Sequence, residues 1–500
     1  MVIKIKKISK KLTLDYKIIL LLFLMTIIFK IPILNIPHHW DAVNIHKVSL
    51  WMLARNFSPF PLMHEVYYSG HPPFFYEALA LFYLIFGVHL WVSHLLVILF
   101  SFIGLTFTYL LGSYFYNRKT GLIASILLFF SPLYFSQSGI LLLTIPLTAL
   151  TITTIYFAIK NNKELFIISG ICLALTKEPA ILILLMIFVY RLLKNKNLNK
   201  TDFLKNSFIY SIPIIVFILW IICNKLIYGW FLYPENILRF NLLSSSFYFN
   251  ASGNILQNFN LRFSEIFLHN PRWILTLICV ILFLKNIKKT KKLRYYKNEF
   301  FLFLSIFLII LIFYSFNSIF MIRYTLLLYP LFFILGSLAL TKIFKQKIIL
   351  IGITIFLLIL FITDWTGNRT NSCVCDLESN LEYLDSIETH KLAAKYIENN
   401  YPNSTVLTDF PMGTELSHPD LGYVDKPIKV ISRFINTKGN IEDADIVYFS
   451  YQQLPFYPFV SLYNPSQELF FLGKRMLNLN LTVLATFEKN GKFAIIYKIN

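Results

Sequence analysis

Residues 15–46 read DYKIILLLFLMTIIFKIPILNIPHHWDAVNIH. The apolar run from Ile18 to about Leu34 is long enough to cross a hydrocarbon core, which takes about 17–25 residues of helix. A basic leader, MVIKIKKISKK, precedes it. No small-residue cleavage site follows, so the run reads as an uncleaved signal anchor. Directly after it comes HHWDAVNIH, residues 38–46, with three histidines, a tryptophan and one carboxylate, Asp41. A polar cluster where a first span leaves the bilayer is either a working site or the rim of an anchor.

The rest of the chain repeats this apolar theme. Of 500 residues, 56% are hydrophobic and 14% charged, which excludes an ordinary soluble globule. Further apolar runs fall near 89–116, 121–138, 141–159, 165–180, 180–195, 207–227, 273–287, 299–318, 325–342 and 348–365. With the first run they make eleven expected spans. HPPFFYEALALFYLIFG, residues 71–87, is apolar but short, and reads as a juxtamembrane or re-entrant helix.

The net charge of +20 does not point to nucleic acid. The basic residues sit in short loops between apolar runs: 4–11, Arg118 and Lys119, Lys160 and Lys163, RLLKNKNLNK, KNIKKTKKLRYYK and KIFKQK. All fall on one side, as the positive-inside rule requires of cytoplasmic loops. This places the N-terminus in the cytoplasm and the C-terminal 135 residues outside it, in a multi-pass cell-membrane protein.

The tail differs in composition, and the expected boundary lies between 1–365 and 366–500. The first part holds 34 Lys and Arg against 11 Asp and Glu, a net +23; the tail holds 12 against 15, a net −3. LEYLDSIETHKLAAKYIENN has helical periodicity, and TVLTDF, KPIKVI and ADIVYFS read as short strands. LTVLATFEKNGKFAIIYKI reads as a hairpin turning at Asn490-Gly491. The fold class expected is a polytopic α-helical membrane protein with a C-terminal extracytoplasmic α/β domain. Cys373 and Cys375 stand too close in sequence for an easy mutual disulfide.

Of the acids in the first part, Asp41, Glu65, Glu77, Glu178, Glu235, Glu265 and Asp364 gather at or near the outer boundary, and none lies mid-span. An ion-coupled transporter places such groups near the midplane. Chemistry at the outer surface fits better. A transporter or lipid-binding protein with an outer ligand-recognition domain is the alternative.

One ordered set of motifs is more specific. Asp41 follows the first span; then come HPPFFYEALALFYLIFG, LGSYFYNRKTGLIASILLFFSPLYFSQSG, LALTKEPAILILL and RYTLLLYP. Over roughly residues 15 to 345 this order resembles the GT-C glycosyltransferases, in particular the protein O-mannosyltransferase and aminoarabinose-transferase group that uses polyprenyl-phosphate sugars. The resemblance implies a hexosyl- or pentosyltransferase acting at the outer face, a polyprenyl-phosphate sugar donor, a protein, lipid or glycan acceptor, and inversion at the sugar. It assigns the essential carboxylate to Asp41. It assigns substrate contacts to His71 of the HPP helix, Lys177 and Glu178 of the TKEP segment, and Arg323 and Tyr324 of the RY motif. Glu77 is a second catalytic candidate, and Trp40 beside Asp41 could stack on a sugar. The oligosaccharyltransferases of the same fold class carry a Trp-Trp motif in the outer domain; this chain has no Trp-Trp pair.

Two departures stand out. Relatives often carry two adjacent acids in the first loop, where Asp41 is followed by Ala42. They often carry an acid in the second outer loop, where this chain reads SQSGILLLTIPL and the equivalent position is Thr144. Glu65 or Glu77 are the substitutes in reach. His38, His39 and His46 lack a partner cluster in sequence and read as interfacial rather than metal-binding. No metal site is assigned, a divalent cation is left open as cofactor, and the tail shows no nucleophile motif or phosphate loop.

Overall fold

The computed structural model describes residues 2–62, 66, 68–234, 255–269, 271–286, 297–316, 321–366, 378–408, 410–431, 443–452 and 481–500. Glu65, Glu235, Cys373 and Cys375 lie outside these residues.

The helices in chain order are α1 (Val2–Lys30), α2 (Asp41–Ala54), α3 (Phe74–Phe86), α4 (Leu90–Phe115), α5 (Arg118–Phe130), α6 (Pro132–Gln137), α7 (Thr144–Lys160), α8 (Lys163–Ala174), α9 (Ala180–Asn195) and α10 (Lys200–Tyr228). Then come α11 (Ile255–Phe267), α12 (Arg272–Asn286), α13 (Lys297–Ser315), a 3-10 segment Ile322–Leu328 running into α14 (Tyr329–Ile343), and α15 (Lys347–Thr363). A helix therefore stands at each of the eleven apolar stretches. Fewer are long enough to cross alone. Among the described residues, five helices are long and apolar enough to span a membrane, six if the bent pair α11–α12 is one span.

The shortfall has local causes. The run expected over 121–138 breaks at Ser131, which is extended (ψ 133°) ahead of Pro132 and ends α5. The run expected over 165–180 stops at Ala174, because the TKEP segment leaves the helix there. α4 and α5 pack at backbone contact: a Cβ on Gly121 would lie 2.2 Å from the Tyr109 carbonyl oxygen. Arg118 pairs with Asp15 at 2.5 Å, across the bundle end opposite Asp41.

The tail contains α16 (Tyr383–Asn400), α17 (Met412–Ser417) and five strands: β1 (Val406–Leu407), β2 (Val430–Ile431), β3 (Ile446–Gln452), β4 (Leu481–Lys489) and β5 (Lys492–Ile499). The sheet order is β2-β1-β3-β5-β4. Asn490 and Gly491 take φ of 48° and 77°, as a two-residue primed turn requires, so the expected hairpin forms. α16 covers the sheet, and the apolar core runs continuously from Ala42 in α2 through Ile387, Leu416 and Ile496 in the tail. Trp365 stacks on Phe135 with ring centroids 3.8 Å apart, tying the end of the last helix to α6.

Candidate active site

Asp41 opens α2, where the helix N-terminus favours an acidic side chain. The preceding residue, Trp40, is held at φ 49°, a conformation that a bulky side chain rarely adopts. Its buried Nε1–H has no acceptor among the described residues. The strained backbone turns the chain sharply, so that Asp41 faces the mouth of the bundle with 52% of its side chain exposed.

Arg323 comes from the 3-10 segment before α14 and is buried. Its Nη2 donates to Asp41 Oδ2 at 2.5 Å. Its Nη1 donates to Glu378 Oε2. One guanidinium thus joins an exposed carboxylate to a buried one, each of the two buried side chains being 10% exposed. Burial pushes the Glu378 carboxyl up, and Arg323 offsets this only in part.

Glu378 was missed by sequence reasoning, being one acid among fifteen in the tail. Its carbonyl accepts hydrogen bonds from Ser136 Oγ (2.8 Å) and Gln137 Nε2 (2.9 Å), both in the SQSG stretch. A carboxylate from the tail therefore arrives over the second outer loop, where Thr144 is itself buried at the start of α7.

A second group adjoins the first through Tyr324. The Tyr324 ring carries Lys177 Nζ at 4.6 Å and Arg323 Cζ at 5.9 Å from its centroid. It stacks on Tyr314 at 5.3 Å. Lys177 has no carboxylate within ion-pair distance among the described residues, so it is the cation open to an anionic ligand. Next to it, His71 Nδ1 meets both Glu178 oxygens, at 2.9 and 3.0 Å. Burial would raise Glu178, but His71, the Glu178 backbone N–H and Lys177 together outweigh it and the carboxyl lies below its ordinary range. The HPP and TKEP segments are locked by backbone as well: Phe74 N donates to the Leu175 carbonyl at 2.9 Å. Gly70, at φ 71°, lets the chain turn into the HPP helix under Tyr233; a Cβ there would come within 2.5 Å of Tyr233 Cβ.

Seven of the eight sequence-derived site residues thus gather at one end of the bundle. Glu77 stands apart: it lies in the first turn of α3, and among the described residues no contact links it to Asp41 or Arg323.

The histidines differ from expectation. His38, His39 and His46 are 1%, 3% and 1% exposed, so they are not interfacial. His46 bonds Tyr83 and Asp420, both at 2.6 Å, and His38 Nε2 meets Ser93 Oγ at 3.1 Å. His39 meets Glu415 and His390 of the tail. The sequence hid the carboxylate partners because they lie in the tail, 374 to 376 residues away.

The fold has solved counterparts. The structure of ArnT from Cupriavidus metallidurans, bound to undecaprenyl phosphate, superposes with a TM-score of 0.54 over 98% of both chains, at 12% identity. The fold is that of the GT-C glycosyltransferases. The archaeal oligosaccharyltransferase AglB from Archaeoglobus fulgidus, in complex with an inhibitory peptide and a dolichol-phosphate, shares this GT-C fold. It matches with a TM-score of 0.54 and 10% identity, over 97% of this chain and 74% of its own. Residues 70–228, from the HPP helix to the end of α10, match the family model dolichyl-phosphate-mannose-protein mannosyltransferase. No curated protein matches by sequence. The resemblance read from the ordered motifs is therefore borne out at the level of fold.

Proposed function

We propose that the protein is an integral-membrane glycosyltransferase that moves a sugar from a polyprenyl-phosphate carrier to an acceptor hydroxyl at the face where Asp41 opens. The observation that carries this reading is the Asp41–Arg323–Glu378 bridge with Lys177 beside it. The family match over 70–228 and the lipid phosphates held by ArnT and AglB support the donor class.

Asp41 is the exposed member of the bridge and takes the proton from the acceptor hydroxyl. The acceptor oxygen attacks the anomeric carbon as the bond from that carbon to the phosphate oxygen breaks. The electron pair stays on the phosphate. Lys177, which shares the Tyr324 ring with Arg323, meets that charge by preorganised electrostatics. A single displacement inverts the anomeric centre. Glu178 orients His71 beside the same phosphate position.

The Arg323 guanidinium bonds both carboxylates, so the three groups together carry one net negative charge. The N-terminus is assigned to the cytoplasm and the tail to the opposite side, from the loop charges. The test is transfer of radiolabelled sugar from a panel of undecaprenyl- and dolichyl-phosphate sugars by purified protein in membranes from its host. Transfer from at least one donor supports the reading. Tight donor binding with no release of lipid phosphate under any acceptor would favour a binding protein instead.

A further inference from the structure

His39, His390 and Glu415 meet where the loop before Asp41 packs against the tail. His39 comes from that loop, His390 from α16 and Glu415 from α17. They are 3%, 3% and 0% exposed, and their donor atoms lie within 4.8 Å of one another. His39 Nδ1 is 3.3 Å from Glu415 Oε1, and His390 Nδ1 is 2.9 Å from Glu415 Oε2. The Tyr423 hydroxyl stands 3.3 Å from His39 Nδ1 and also meets Glu415.

Both imidazoles aim Nδ1 at Glu415 and turn Nε2 to a serine hydroxyl: His390 Nε2 is 2.7 Å from Ser450 Oγ and His39 Nε2 is 3.5 Å from Ser386 Oγ. Ser450 Oγ has a second acceptor in the Phe493 carbonyl at 3.1 Å, so it can accept from His390 Nε2–H and leave the Nδ1 lone pair for a metal ion. In the other tautomer Nδ1–H donates to Glu415 and no ion is held. Metal-bound imidazoles are oriented in this way, one nitrogen on the ion and the other donating to a neighbour.

We propose that His39 Nδ1, His390 Nδ1 and the Glu415 carboxylate bind a zinc-class divalent cation that staples the tail to the loop carrying Asp41. Two imidazoles and a carboxylate suit zinc, whose ligands at about 2.0–2.1 Å in a tetrahedron stand about 3.3 Å apart. The two 3.3 Å contacts at His39 Nδ1 have that spacing. Tyr423 or a water completes the set. Full burial makes the ion structural rather than catalytic. The site is separate from the Asp41–Arg323 bridge, and its existence does not depend on the transferase reading.

The test uses full-length protein in detergent, loaded with zinc, desalted and measured by elemental mass spectrometry. The wild type is expected to keep about one zinc per chain, and His390→Gln and Glu415→Gln to bind at least about tenfold less. Metal-stripped wild type titrated with cobalt is expected to develop the visible absorption of a tetrahedral site, displaced by zinc. The cobalt titration needs no variant, so it decides the matter even where a substitution prevents folding. Absence of both retained zinc and cobalt absorption in the wild type overturns the proposal and leaves the three groups as a hydrogen-bonded cluster. Zinc retention unchanged in both variants also overturns it.

Discussion

Arg323 Nη2 and Asp41 Oδ2 lie 2.5 Å apart although 282 residues separate them in the chain. The same guanidinium reaches Glu378, so the exposed carboxylate is held by a cation that a buried carboxylate anchors. The fork geometry of arginine makes this two-way contact; a lysine ammonium cannot hold both with the same rigidity. Arg323→Lys is therefore expected to lower the transfer rate by about 100-fold, the order found when a preorganised charge is removed. Monodisperse elution and an unchanged helical circular-dichroism spectrum separate this from unfolding.

Glu378→Gln keeps the shape of the side chain but removes the buried carboxylate that anchors the Arg323 guanidinium. Breaking a buried pair costs about 3–5 kcal/mol, so the melting temperature is expected to fall clearly while the fold persists at low temperature. A variant as stable as the wild type would mean that Asp41 alone balances Arg323.

Lys177 packs its ammonium on the Tyr324 ring and meets no carboxylate at ion-pair distance among the described residues. Lys177→Met is expected to weaken kcat/KM for the lipid-phosphate donor by about 10- to 100-fold, the worth of a charge-assisted contact of about 1.5–3 kcal/mol. The acceptor KM should stay within about twofold by the same argument, since the lost contact is to the donor phosphate. Donor and acceptor titrations distinguish the two.

The His71–Glu178 pair makes a pH prediction. The folded protein holds Glu178 below its ordinary value of 4.5. A lowered carboxyl contributes stability above its unfolded pKa and loses it as pH falls through the folded one. The melting-temperature gap between wild type and Glu178→Gln is thus expected to be full near neutrality and to close below pH 4.5. A gap that widens on acidification would contradict the geometry of the pair.

Much of this site is legible in the chain because its parts are local signals. Asp41 follows a clear span, Pro72 and Pro73 mark the start of a helix, and Lys177 puts a charge into the end of the apolar run 165–180. Long apolar runs also reveal the helices, since burial from water and lipid matching both read out as composition. What is not legible depends on contacts across the fold. Glu378 looks like any acid in a mildly acidic tail; only docking on Ser136 and Gln137 brings it to Arg323. His39 looks interfacial until Glu415 packs against it from 376 residues away. The length of some helices is overestimated for a related reason. Apolar runs such as 121–138 continue through Ser131-Pro132, where backbone sterics break the helix although hydropathy does not change.

The central claim is that Asp41 is the base that activates the acceptor. Sugar transfer by Asp41→Asn, beside the wild type in the same membranes, tests it most directly. Asparagine keeps the side-chain shape and still accepts from Arg323, but it cannot take a proton. The account predicts a folded variant whose rate is lower by about 100- to 10,000-fold, the usual worth of a general base. Transfer at the wild-type rate would contradict it and remove Asp41 from the chemistry.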